Sequence, residues 1–142
     1  MSDMTGPVLL DTHTWIWMAG GESANFRKRT IDQIDMAAKG NRLLLAAISL
    51  WEVAMLESKG RLKLGQPCGE WLKLTQRKTG VMIAPLDAEI AALSCAIPGF
   101  HGDPADRLIV ATAIHHGATL LTEDDQIVAC ARKGGYRISR LK

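Results

Sequence analysis

Little in this sequence could staple or cage a fold. Its three cysteines, Cys68, Cys95 and Cys130, are an odd number, lie far apart and form no C-x-x-C. That excludes a disulfide framework and a zinc site, and it makes a reducing cytoplasm the expected compartment, with the thiols as small buried hydrophobes. The four histidines, His13, His101, His115 and His116, show no H-x-x-x-H spacing and read as surface or capping residues. Long apolar runs are missing too. The longest, Leu43 to Trp51, has nine residues and stops at Glu52, whereas a membrane span needs ~18 or more. The amino terminus carries Asp3 and no basic residue ahead of a weak apolar stretch, so no secretory leader is expected. With 17 Lys and Arg against 15 Asp and Glu the net charge is only +2, which points neither to nucleic acid nor to an acidic partner. There is no repeat, low-complexity tract or linker.

What remains has the make-up of one ordinary domain spanning residues 1–142. Hydrophobic residues are 47% of the chain and charged residues 23%, too apolar and too nearly neutral for disorder. A chain of this length buries roughly two-thirds of its unfolded surface. Turn residues divide it clearly. Val8-Leu9-Leu10, Leu43 to Ala46, Val81 to Ala84 and Ala118 to Leu121 are apolar runs too short for anything but buried strands, and Tyr136 to Ser139 is a candidate edge strand. Helical stretches lie between them: Ser23 to Lys39, Ser49 to Lys59, Pro67 to Thr79, Asp87 to Ile97, Asp103 to His116 and Asp124 to Lys133, most ended by glycine or proline. Short strands alternating with helices predict a three-layer α/β/α fold around a parallel sheet of four to five strands.

Sheets of this kind place ligands outside the carboxyl ends of their strands. Three acids fall there: Asp11 ends the first strand, Glu52 lies early in the helix after the second, and Asp124 follows the fourth. Asp103 and Asp106 open the helix before the fourth strand, and the strand-end rule does not place them. Each acid also has a capping explanation. Ser49-x-x-Glu52 reads as a capping box, Asp103 as an N-cap with Pro104 behind it, and Asp124 as another cap. As a set they are harder to dismiss, because carboxylates gathered on one edge without basic partners repel one another unless a divalent cation neutralises them. Carboxylate oxygens and water suit Mg²⁺ or Mn²⁺, and such an ion suits phosphoryl chemistry, which makes a nuclease or a phosphatase the hypothesis.

At these residues a family resemblance appears. The strings V-L-L-D-T-H at 8–13, A-A-I-S-L-W-E at 46–52, H-G-D-P-A-D-R-L-I-V-A-T-A at 101–113 and T-L-L-T-E-D at 119–124 resemble PIN-domain proteins, and among them the VapC-type toxins of bacterial toxin–antitoxin pairs. The likeness runs from about Val8 to Ile138 in the family's order. It implies a metal-dependent endoribonuclease in which Asp11, Glu52, Asp106 and Asp124 match the four acidic site positions. Asp103 matches a supporting acid, and Thr12, Ser49 and Thr122 match hydroxyl positions lining the site. Ala105 departs from the pattern, standing where relatives commonly carry a large aromatic, and Asp124-Asp125 doubles the last acid. On this resemblance Asp11, Glu52 and Asp106 hold one Mg²⁺ or Mn²⁺ directly or through waters. Asp124 binds a second ion or orients the attacking water, and cleavage leaves a 5′-phosphate and a 3′-hydroxyl. A small VapB-like antitoxin as inhibitor and a homodimer are further implications of the family.

RNA approaching an acidic pocket needs a basic rim. The candidates are Arg107, Lys59, Arg61, Lys63 and the run from Arg132 to Lys142, each of which also reads as a solvated face. Among the tryptophans, Trp51 and Trp71 are expected in the core. Trp15-Ile16-Trp17-Met18 is too apolar to leave exposed and either packs inside or forms a groove for a partner helix. Two rivals stay open. A phosphotransfer or phosphatase domain also uses strand-end acids, but His13 stands where the phosphatase wants its second Asp, and no lysine directly follows the fourth strand. A non-catalytic binding module would leave the acids as caps alone. Setting four of the 15 acids aside as ligands leaves 11 against 17 bases, an acidic pocket on a basic body.

Overall fold

Each apolar run is bounded by residues that stop it, and each becomes one short strand. The computed structural model describes residues 5–142, in which β1 (Val8–Leu10), β2 (Leu43–Ala46), β3 (Met82–Ala84), β4 (Thr119–Leu121) and β5 (Arg137–Ser139) form one parallel sheet. The strand order is β3-β2-β1-β4-β5, with Leu10 level with Leu45 on one side and Leu121 on the other. The chain steps outward from β1 to β3, then returns to the other side of β1 for β4 and β5. The carboxyl ends of β1 and β4 therefore flank the switch point, where parallel sheets open a crevice. A receiver-type domain has the order 2-1-3-4-5 instead. Asp3, on which the argument against a leader rests, lies outside the described residues.

Among the described residues seven α-helices cover the sheet: α1 (Thr12–Ala19), α2 (Lys28–Lys39), α3 (Ala47–Ser58), α4 (Cys68–Thr79), α5 (Ala88–Ser94), α6 (Pro104–His116) and α7 (Asp125–Gly134). The period-two alternation of the strands sorts their side chains between two cores. Val8, Leu10, Leu43 and Leu45 pack with Trp15, Ile34 and Val53 on one face. Leu9, Ala46 and Leu120 pack with Ile90, Ile109 and Ile127 on the other. This is the three-layer α/β/α arrangement that the alternation predicts.

Several local expectations give way. The Ser23–Lys39 helix is split into a 3₁₀ turn, Ser23–Asn25, and α2, because Arg27 is extended and donates its N–H to the Leu141 carbonyl at 2.7 Å. The helix expected from Ser49 begins at Ala47. The segment Thr12–Ala19, left without an assignment in the sequence, is a helix because Asp11 caps it, accepting from the Thr14 N–H at 2.9 Å. Trp51 is 56% exposed, since α3 turns Leu50 and Val53 inward and leaves Trp51 on the outer face. Cys95 is exposed and Cys68 and Cys130 are half-buried, so the thiols are not core residues.

Candidate active site

The strand register alone joins the first and last acids. Asp11 and Thr122 follow the paired residues Leu10 and Leu121, and the Asp11 N–H donates to the Leu121 carbonyl. The Thr122 hydroxyl donates to Asp11 Oδ2, while the Thr14 N–H donates to Oδ1 at 2.9 Å. Thr122 Oγ1 in turn accepts the Asp124 N–H at 3.0 Å, and Asp124 caps α7 through the Ile127 N–H at 2.9 Å. On the other side of β1, strand β2 leads into α3, which carries Ser49 and Glu52. Thr12 Oγ1 lies 2.9 Å from Ser49 Oγ and within hydrogen-bond distance of Glu52 Oε1. A hydroxyl has one proton, so donating it to the Glu52 carboxylate leaves Thr12 to accept from Ser49. The capping-box reading of Ser49 and Glu52 thus fails. Both sit inside the helix, and Thr12, not the helix terminus, is the partner of Glu52.

Asp106 arrives by a different route. Helix α6 leads directly into β4, so a helix lying back along the sheet starts at the edge where the strands end. Asp103 caps it, accepting the Asp106 N–H at 2.8 Å, and the cap places Asp106 in the first turn. Together Asp11, Thr12, Glu52, Asp103, Asp106 and Asp124 line a cavity of about 390 Å³, with His13, Trp17, Ile109 and Glu123 completing its wall.

The electrostatics of this cavity are one-sided. Burial pushes the Asp11 carboxyl above its ordinary range, against the opposing hydrogen bonds from Thr122 and Thr14. Burial also raises Glu52, with Asp103 and Asp11 adding repulsion against the Thr12 hydrogen bond. Asp106 is pushed up from 3.8 to about 7, first by burial and then by Asp103, Asp124, Glu52 and Asp11. Among the described residues no side chain donates a hydrogen bond or ion pair to the Asp106 carboxylate. Half-buried acids facing one another without a cationic partner form a donor set of hard oxygens, the chemistry that suits a divalent cation. As they stand, no three His, Cys, Asp or Glu side chains among the described residues are placed to hold a metal ion. Asp11 and Glu52 are turned toward their threonines, and Mg²⁺ commonly keeps several of its waters between itself and such carboxylates.

The basic candidates are distributed less neatly. Arg61 lines an adjoining cavity, whereas Lys59 and Lys63 are exposed and line neither. Arg107 is turned away, donating from Nε to the Gly102 carbonyl at 2.9 Å. In the carboxyl-terminal run, Arg140 bridges Glu123 and Asp125 at 3.0 and 2.9 Å, and Arg137 donates to the Gly117 carbonyl. Sequence reasoning missed His13, Trp17 and Glu123 as part of the wall. The signal for the first two was the capped helix itself, since His13 and Trp17 are four residues apart and share one face.

Comparison with known proteins agrees with this geometry. The PIN domain family model matches residues 8–133. Ribonuclease VapC22 of Mycobacterium tuberculosis is 38% identical over 122 residues, covering 84% of this chain and 88% of that protein. Among solved structures, VapBC2 from Rickettsia felis bound to a promoter DNA fragment superposes with a TM-score of 0.71 at 18% identity, covering 95% of this chain and 98% of that one. DNA-bound VapBC from Salmonella typhimurium gives 0.67 at 18% identity, covering 97% and 100%. Acids gathered at the switch point, a family model spanning both edges of that cluster and a ribonuclease relative matched along most of its length lead to one assignment: the chain belongs to the PIN-domain family, alongside its VapC-type ribonucleases.

Proposed function

We propose that this chain is a divalent-metal-dependent endoribonuclease, the toxin of a toxin–antitoxin pair, with Asp11, Glu52, Asp106 and Asp124 as its catalytic acids. The observation that carries the reading is Asp106, a half-buried carboxyl with no donor and acids facing it, which nothing in a purely structural role explains. Divalent-metal dependence is the norm of the family. Mg²⁺ or Mn²⁺ is the ion this oxygen donor set favours, held by Asp11, Glu52 and Asp106 directly or through waters. Bound there, it would supply charge for the phosphodiester oxygens and acidify a water. The chain's own residues do the positioning. Thr122 and the Thr14 N–H fix the Asp11 carboxylate, Thr12 fixes Glu52, and the Asp103 cap fixes the first turn of α6. Asp124, with one oxygen bound to the α7 N-terminus, keeps the other for the attacking water or a second ion. Cleavage then leaves a 5′-phosphate and a 3′-hydroxyl.

No helix among the described residues is long and apolar enough to cross a membrane, and a cytoplasmic enzyme fits the three free thiols. The apolar hollow between α1, α2 and α4, lined by Met18, Phe26, Ile31 and Ile34, suits the helix of a small antitoxin. Labelled RNA incubated with Mg²⁺ or Mn²⁺ tests the activity. Cleavage should stop with chelator and fall by at least ~10²-fold in Asp11→Ala. A folded Asp11→Ala protein that cuts as fast as wild type contradicts the assignment.

A further inference from the structure

Helix α1 sends its two tryptophans in opposite directions. Trp15 is fully buried, edge-on to Trp71 with ring centroids 5.4 Å apart, and its indole N–H donates to Thr79 at 3.0 Å. Trp17 is half-buried and lines both the carboxylate cavity and a second one of about 520 Å³ beside it. His13, one helical turn earlier, lies against it with ring centroids 6.2 Å apart and planes inclined at 52°. Among the described residues the Trp17 indole N–H has no hydrogen-bond partner. The two cavities share His13, Trp17, Glu52 and Asp103, so they adjoin along these side chains. The second is walled also by Met55, Leu56 and Leu62, with Arg61 exposed beside them and bound to no acid among the described residues.

These surfaces select what can enter. A substrate strand with one phosphate at the carboxylates must place its neighbouring nucleotide in the adjoining space. Glu22, Glu52 and Asp103 line that space and repel a second phosphate there, but they do not repel a neutral base. An aromatic side chain beside apolar neighbours is what single-stranded nucleic acids stack on without regard to sequence, and the volume falls within the range of small-ligand pockets. Arg61, free of an ion pair, is available to the backbone phosphate beyond it.

We propose that this second cavity is a nucleobase subsite: the base beside the cleaved bond stacks on Trp17, and Arg61 takes the next phosphate. The proposal rests on the ribonuclease reading above and adds to it the part of the substrate that the acids do not hold. A set of short RNAs carrying one abasic position, moved stepwise across the cleaved bond, tests it with the whole protein and Mn²⁺. In wild type, the abasic site at one flanking position should raise KM about tenfold, with a much smaller change in kcat. In Trp17→Ala the same abasic site should add nothing further, and Trp17→Phe should recover most of the binding, as a shared interaction requires. Arg61→Ala should lower the slope of log KM against log salt by about one. Stabilisation of each variant by Mn²⁺ shows that it is folded with its acids in place. If wild type cuts RNA but the abasic scan is flat, or if the penalty persists undiminished in Trp17→Ala, the subsite is refuted while the ribonuclease stands. If wild type with metal cuts none of the RNAs, the ribonuclease reading fails and the subsite with it.

Discussion

The Asp106 carboxyl faces Asp103, Asp124, Glu52 and Asp11 with no donor to answer it, and its pKa is raised to about 7. On the proposed function such a group serves the chemistry at some cost to the fold, and the cost is measurable. Asp106→Asn keeps the shape and removes the repulsion. It should raise Tm in chelator by about 2–4 °C, the equivalent of roughly 1 kcal/mol for a chain of this size, while cutting RNA cleavage at least ~10²-fold. A variant that loses stability in differential scanning calorimetry would show Asp106 to be an ordinary first-turn acid. Thr122 acts in the opposite sense, because its hydroxyl serves both Asp11 and the Asp124 N–H. Thr122→Val should lower stability by about 1–3 kcal/mol in urea titrations, since it leaves one oxygen of a buried carboxylate and the Asp124 N–H without this partner. The strand-end rule placed Asp11, Glu52 and Asp124 on one edge in the sequence, and all three line the cavity. Asp106 was legible only through family resemblance, because its position depends on the return path of α6 and not on a preceding strand.

Elements turned on contacts that local patterning cannot show. The strands β1 to β4 were readable because each lies in a short apolar run with a stop at both ends, and α4 to α7 because glycine or proline ends them or a side chain caps them. Helix α1 was not, since its Trp-Ile-Trp-Met core has no clean helical stripe: Trp15 goes into the core and Trp17 to the cavity. The carboxyl-terminal run read as a basic face, yet the structure closes it onto the body. Leu141 is fully buried, its N–H donates to Glu123 Oε2 at 2.6 Å, and its carbonyl accepts from Arg27 and Thr30. Burial tends to raise the Glu123 carboxyl, but the Leu141 and Lys142 N–H groups and Arg140 outweigh it and hold the pKa below its ordinary value. Leu141→Ala should therefore cost about 2–5 kcal/mol, as for any large core truncation. Denaturation that matches wild type would mean the tail is not anchored.

For the whole molecule, the acidic depression couples folding to pH and, on the proposed function, to metal. A carboxyl with its pKa raised on folding binds its proton more tightly in the native chain than in the unfolded one. For Asp106 that contribution is largest below 3.8 and is lost as pH climbs through about 7. Asp11 and Glu52 shift in the same direction. Without metal, the cluster should make the protein less stable at pH 8 than at pH 5.5, and saturating Mn²⁺ should remove most of that difference in Tm. Near-neutral total charge hid this arrangement, because the acids converge on one cavity while the bases are spread over the rest of the surface. The most direct test is a calorimetric titration of Mn²⁺ at pH 6 and pH 8, in buffers of different ionisation enthalpy. If the cluster is a metal centre, wild type binds Mn²⁺ and releases more protons at pH 6, where Asp106 is mostly protonated, and Asp106→Asn loses that difference. A wild-type protein that takes up no Mn²⁺ at millimolar concentration would contradict the account, leaving Asp11, Asp103 and Asp124 as helix caps and Glu52 as the partner of Thr12.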